Sequence, residues 1–196
     1  MLEFEPIEHI YRVDGKRIDS VTDIVSVYGA DVDERVEEAM ERAADRGTTL
    51  HSVLEMALTG EDYDGEYPAV YADYVTSIEL FLASHTIEPI AIEQPIYSER
   101  LDVAGTPDLL AYIDGVLTLA DWKFVSSICK PKVRAQLTGY CQVFNDNGVF
   151  PEQLLAVQFM RDKPREYLVE PGDEWDAALR IREIKRRKYQ RGKIAI

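Results

Sequence analysis

Two aspartates, Asp108 and Asp121, stand thirteen residues apart, one closing Gly105-Thr106-Pro107-Asp108 and the other opening Asp121-Trp122-Lys123. Two carboxylates and a lysine can work on a cation or a phosphate only if the chain between them folds back on itself. Asp114-Gly115 predicts that it does, because Asp-Gly between apolar runs such as Ala111-Tyr112-Ile113 and Val116-Leu117 is the strongest short-range hairpin signal. Ile113 then pairs with Val116, and the same register places Asp108 opposite Asp121. Side chains alternate along a strand, so Lys123 shares the face of Asp121. Like charges directly opposite one another destabilise a sheet, and a divalent cation is the simplest group that offsets the cost. A lone Asp-x-Lys is common and reads as a solvated ion pair; the register-matched second aspartate distinguishes this one.

The elements that position this hairpin are also apolar. Leu110, Tyr112, Leu117 and Leu119 fall on the face of the aspartates, and Leu109, Ala111, Ile113, Val116, Ala120 and Trp122 on the other. A strand pair apolar on both faces is predicted to lie in the middle of a covered sheet. The acidic pair is therefore expected where carboxylates are costly unless used.

Around the hairpin, the pattern predicts a small hairpin over 9–18 about Asp14-Gly15, then a helix start at Ser20-Val21-Thr22-Asp23 with Ile24, Val25 and Val27 to bury. A long helix over 33–58 carries Val36, Met40, Ala43, Gly47, Leu50 and Leu54 at helical spacing, with His51 and Glu55 on a neighbouring stripe. A second helix runs over 68–84. Strands are predicted over 88–97, 102–112 and 116–124, a helix over 132–147 with Gln136 and Tyr140 four apart, strands over 154–160 and 166–169 about a turn at 162–164, and a closing helix from Glu174. This order describes a mixed α/β (α+β) fold in which a central mixed sheet is flanked by helices. One domain over 1–196 is expected, with a helical N-terminal part at 20–84, a core at 88–170 and a basic C-terminal helix at 173–193.

Composition narrows the function classes. With 46% hydrophobic and 10% aromatic residues, the chain builds a core. No apolar run approaches the length of a membrane span, and Met1-Leu2-Glu3-Phe4-Glu5 lacks the regions of a signal peptide, so a cytoplasmic protein without a membrane partner is expected. Cys129 and Cys141 are too few for a disulfide framework or for the four thiolates of an iron–sulfur cluster. The net charge of −14 argues at first against nucleic acid. Eight basic residues nevertheless gather between Arg180 and Lys193 against the single Glu183, leaving 14 basic and 35 acidic residues elsewhere. A solvated helix end accounts for that tail. Lys130, Lys132 and Arg134, just beyond the Asp-x-Lys strand, are better placed to meet a polyanion.

Gly-x-x-Asp at 105–108, Asp-x-Lys at 121–123 and Gln136-x-x-x-Tyr140, in that order, resemble the PD-(D/E)XK nuclease superfamily. The upstream Arg46-Gly47-Thr48-Thr49-Leu50-His51 resembles its RecB-like and phage-type exonuclease branch, and His9-x-Tyr11 with Asp14-Gly15 and Ser20-Val21-Thr22 is similar to N-termini of phage-type members. The resemblance spans roughly His9 to Tyr140 and implies a restriction-endonuclease-like core. It implies that Asp108 and Asp121 bind Mg²⁺ or Mn²⁺ with the backbone carbonyl of Trp122, that His51 supplies an imidazole ligand or holds a bound water, and that Glu93 is a candidate for a second metal. It also implies that Lys123 positions water and stabilises phosphate charge, and that Gln136 and Tyr140 orient Lys123, the metal shell or the DNA backbone. No iron–sulfur cluster is implied. The implied activity is a DNA exonuclease leaving 5′-phosphates in phage or bacterial recombination or repair, with a single-strand annealing protein as a partner and a homo-oligomer as an assembly. A structure-selective or site-specific endonuclease and a non-catalytic DNA-binding domain are the alternatives.

Overall fold

The Asp-Gly turn and its apolar flanks form the predicted hairpin: β7 (Leu109–Ile113) pairs antiparallel with β8 (Val116–Lys123), Ile113 against Val116 through Leu109 against Ala120. Asp114 and Gly115 both have positive φ, 51° and 82°, as a two-residue turn of matching twist requires. The computed structural model describes residues 1–6, 9–29, 34–161 and 163–194, and side chains for all of these but 34–44 and 190–194. The expected start of the long helix at Asp33, its apolar positions Val36, Met40 and Ala43, and Asp162 of the expected turn lie outside the described residues or side chains.

The hairpin sits inside a five-stranded sheet ordered β10-β9-β8-β7-β4, where β4 is Ile87–Ile92, β9 is Gln153–Phe159 and β10 is Pro164–Leu168. β8 and β9 are parallel, joined by the crossover helix α4 (Lys130–Asp146), and the other pairs are antiparallel. Both faces are covered. Leu110 and Leu119 pack with Leu137, Tyr140 and Val143 of α4, with α1 (Val21–Val25) and with Trp175 of α5 (Glu174–Ile194). Leu109, Ala111, Ala120 and Trp122 pack with Leu50, Val53 and Leu54 of α2 (Glu34–Thr59) and with Val75, Ile78 and Phe81 of α3 (Ala72–Ser84). The alternation read from the sequence thus holds along the hairpin. It fails at the turn end, where Tyr112 is 43% exposed and Val116 is exposed as well. No helix among the described residues is long and apolar enough to cross a membrane.

The mixed α/β class and the covered sheet match expectation, but the strands divide between two sheets. The second is ordered β1-β2-β3-β6-β5, from β1 (Leu2–Glu5), β2 (Ile10–Val13), β3 (Lys16–Ser20), β6 (Val103–Gly105) and β5 (Ile96–Ser98), with β3 and β6 parallel. The strand expected over 88–97 is therefore β4 plus β5, and that over 102–112 is β6 plus β7. Each break precedes or includes a proline, Pro95 and Pro107, whose ring and missing N–H interrupt a ladder. At the first break Glu93 takes φ 46°. Ser20 caps α1 in a reciprocal box with Asp23, as its sequence predicts. Arg182 of α5 then ties the two ends of the chain together by donating to Asp19 Oδ2 (2.6 Å) and to the carbonyl of Asp102 (2.8 Å), and Arg186 lies 3.1 Å from the same Asp19 carboxylate.

Candidate active site and metal centre

The break between β6 and β7 shapes the site. Gly105 ends β6 against the ring of Tyr140, so closely that a Cβ there would lie 2.5 Å from Tyr140 Cε1. Thr106 is held by its hydroxyl contact with Tyr11 (2.8 Å), and Pro107 stops the ladder. Asp108 is thereby released from strand pairing, and its Oδ2 accepts the backbone N–H of Trp122 at 2.6 Å. The N–H and carbonyl of one residue point to the same strand edge, so the Trp122 carbonyl also faces the β7 side. Continuing the β7–β8 register places Pro107 there, which has no N–H to donate.

Asp121 leaves the same end of β8 on the face covered by α4. It is 1% exposed and Asp108 is 9% exposed. The Lys123 ammonium lies 2.5 Å from Asp121 Oδ2 and donates to Gln136 Oε1 at 3.1 Å. Apart from that ammonium, neither Asp121 oxygen has a partner among the described residues. Such orphaned buried acceptors are rare. Tyr140 lies beside Gln136, one turn along α4.

α2 covers the opposite face of the sheet and brings His51 over the strand ends. Its Nδ1 lies 3.2 Å from Glu93 Oε1 and 3.8 Å from Asp108 Oδ1, and its ring packs edge-on against Phe124 at 5.3 Å. The positive φ of Glu93 carries its carboxylate to this point, and its N–H donates to the Asp108 carbonyl (3.1 Å). His51, Glu93 and Asp108 present ligand atoms all within 4.8 Å of one another. One nitrogen and several hard oxygens form a donor set suited to a divalent ion of the Mg²⁺ or Mn²⁺ type.

Electrostatics separate the groups by role. Burial pushes the Asp108 carboxyl above its ordinary pKa, Glu93 adds to the rise, and His51, Lys123 and the Trp122 N–H oppose it. Burial likewise pushes Asp121 up to about 6, against the pull of Lys123 and with a further push from Asp108. Burial works against the charged forms of His51 and Lys123, but neighbouring carboxylates outweigh it: Asp108 then Glu93 raise His51, and Asp121 then Asp108 raise Lys123. Tyr140 is raised well above its usual value by burial, then by Asp108 and Asp121, so it stays a neutral phenol. Two carboxylates held above their ordinary pKa beside one ammonium and an imidazole are short of positive charge, which is what a bound cation supplies.

The sequence-predicted residues Asp108, Asp121, Lys123, Gln136, Tyr140, His51, Glu93 and Trp122 thus converge on one strand end. Of the predicted basic cluster, Lys130 and Lys132 lie in the first turn of α4, and Arg134, one turn on, is bound to Glu174 at 2.8 Å. Sequence reasoning gave no role to Arg46, which donates to the carbonyl of Phe124 (3.0 Å), or to Gln158, which donates to that of Val125 (2.8 Å). The signal was present for Arg46 in the Arg-Gly-Thr run before His51, and absent for Gln158. Cys129 and Cys141 are free thiols.

No family model and no curated protein matches the chain. Among solved structures, the crystal structure of SSO0001 is similar at 21% identity, with 88% of this chain and 76% of that chain covered and a TM-score of 0.47. An alkaline exonuclease (LHK-Exo) from Laribacter hongkongensis is similar at 15% identity, with 91% and 95% covered and a TM-score of 0.39.

Proposed function

We propose that this chain is a divalent-metal-dependent deoxyribonuclease that works from DNA ends and leaves 5′-phosphates. One observation carries the reading: at the open end of the β7–β8 hairpin, buried Asp108 clusters with His51 and Glu93, and buried Asp121 meets an ammonium that is itself held by a glutamine. His51, Asp108 and Glu93, whose ligand atoms cluster, would hold a Mg²⁺ or Mn²⁺, with Asp121 and the Trp122 carbonyl as further oxygen donors. Such an ion, when bound, polarises phosphoryl oxygens and lowers the pKa of water that it coordinates.

The chain's own residues do the rest. Lys123 is charged at neutral pH, because its pKa is raised. An ammonium has three donors, and Asp121 and Gln136 engage two, so one is left for a non-bridging phosphate oxygen. Its charge opposes the negative charge that gathers on those oxygens as phosphorus becomes five-coordinate. Gln136 fixes Nζ, and the neutral Tyr140 phenol packs the glutamine and the Gly105 bend into place. The preference for an end-directed enzyme rests on the Arg46–His51 run and its resemblance to the exonuclease branch.

The test uses linear, nicked, closed circular and single-stranded DNA with Mg²⁺ or Mn²⁺. Loss of linear DNA from its ends is expected with closed circles intact, and Asp121→Ala and Lys123→Ala should each lower the rate by about 10²-fold or more. Failure of the parent protein to degrade any of these DNAs overturns the reading, and cutting of closed circles converts it to an endonuclease.

A further inference from the structure

A second group of like charges stands near the same strand ends, with no counter-ion among the described residues. Arg46 of α2 and Arg161, just past β9, both lie over the ring of Tyr74 in α3, with guanidinium carbons 5.4 and 6.0 Å from its centroid. Five other arginines, Arg100, Arg134, Arg182, Arg186 and Arg187, each meet a carboxylate. In a chain with 36 acidic and 22 basic residues, Arg46 and Arg161 meet none among the described residues. Arg46 spends Nη2 on the Phe124 carbonyl and leaves its buried Nε without a partner. Two guanidiniums sharing one ring repel each other, and a buried donor left unmade is costly. An anion between them removes both costs, and the planar fork of arginine fits a phosphate best.

Position selects which phosphate. Phe124 follows Lys123, so the carbonyl that anchors Arg46 belongs to the residue after the active-site lysine, and the Phe124 ring also packs against His51. β8 and β9 run parallel with Lys123 opposite Gln158, which puts Arg161 beyond the end at which Lys123 sits. Tyr74 and both arginines therefore flank the site on its α2–α3 side.

We propose that Arg46, Tyr74 and Arg161 form a seat for a backbone phosphate of the polynucleotide strand next to the scissile bond. This assignment rests on the nuclease reading of the hairpin site and adds the direction in which the strand leaves it. The seat reads charge and not base, so it contributes affinity without sequence preference.

The test is binding of the full chain to a fluorescent oligonucleotide in Ca²⁺, measured by anisotropy across a salt series. Arg161 is exposed, so Arg161→Gln leaves the core intact. It should weaken binding equally for two unrelated base sequences and reduce the slope of log K against log salt by about 0.7 for single strands or about 0.9 for duplex. Arg12→Gln removes one charge from an exposed position on β2 and should leave the slope unchanged. A parent slope retained in Arg161→Gln, or lost equally in Arg12→Gln, overturns the seat. Parent protein that degrades DNA while Arg161→Gln keeps the slope loses the seat and keeps the nuclease reading. Protein that degrades nothing but shows the slope loss at Arg161 alone loses the nuclease reading and keeps the phosphate seat.

Discussion

The β7–β8 hairpin has carboxylates at both ends, and the two ends are wired in opposite senses. At the turn, Asp114 accepts the Thr86 N–H at 2.8 Å and faces His85 Nδ1 at 2.6 Å, while Glu166 meets the other ring nitrogen at 3.2 Å. The His85 contact, then the Thr86 N–H, hold the Asp114 carboxyl below its ordinary range. At the open end, Asp108 accepts the Trp122 N–H, Asp121 has only the Lys123 ammonium among the described residues, both are buried, and burial raises both. A carboxylate that serves the fold is satisfied by the fold and gains from being charged. One kept for a ligand is left unsatisfied and makes the fold less stable until the ligand arrives.

Substitutions at the two ends break or sharpen that contrast, beginning with catalysis. Lys123→Met should lower Mn²⁺-dependent DNA degradation by about 10³-fold, whereas Asp114→Asn at the turn should leave the rate near that of the parent; initial rates on linear duplex report both.

Stability should move the other way at the open end. Asp121 has a folded pKa of about 6 against an ordinary 3.8, so its protonated form stabilises the folded state below the unfolded value, and that contribution is lost as pH rises through about 6. In EDTA at pH 8, Asp121→Asn should therefore be more stable than the parent by up to about 3 kcal/mol, and most of that gain should be gone near pH 4. Urea unfolding at the two pH values measures it; a less stable variant at pH 8 would show that the buried charge is already compensated by Lys123.

Two glycines, Gly105 at the end of β6 and Gly115 in the hairpin turn, make a paired test. Gly105→Ala drives a methyl into the Tyr140 ring and should cost about 1–3 kcal/mol with a fall in activity, because Tyr140 supports Gln136. Gly115→Ala meets no neighbour but must adopt φ 82°, costing about 1 kcal/mol with no change in activity. Chemical denaturation beside rate measurements separates the two.

The smallest effect is expected at His85. Burial lowers its pKa, but Asp114 and Glu166 outweigh that and the net shift is upward. Its contribution is present below the unfolded value of 6.5 and lost as pH rises through the raised one. His85→Gln should thus be slightly less stable than the parent at pH 5.5 and equal to it at pH 9.5, read from thermal midpoints.

How much of this was legible in the sequence depended on range. The hairpin register followed from one local turn and strict alternation, and it carried Asp121 and Lys123 into place with no distant information. The ladder stops at Leu109 against Ala120, however, so Asp108 is not paired with Asp121 as the register predicts but accepts the Trp122 N–H through its side chain. Helical spacing did the same for Gln136 with Tyr140. The second sheet was not legible, because β3 pairs with β6 across more than eighty residues and neither strand exceeds five. The division of 88–97 at Glu93 was signalled only by Pro95, and the left-handed turn that aims the Glu93 carboxylate at His51 leaves no mark in residue type. Arg161 and Tyr74 were invisible for a related reason: a pair of cations sharing one ring is a property of three separate elements.

The central claim is that the open end of the hairpin is built for a divalent cation. Thermal unfolding of the full chain at pH 8, in EDTA and then in excess Mn²⁺, tests it directly. The midpoint should rise with Mn²⁺, by the equivalent of about 2.7 kcal/mol at a hundredfold excess over Kd, and the rise should disappear in Asp108→Asn. A parent midpoint indifferent to both Mn²⁺ and Mg²⁺, or an equal rise in Asp108→Asn, would contradict it.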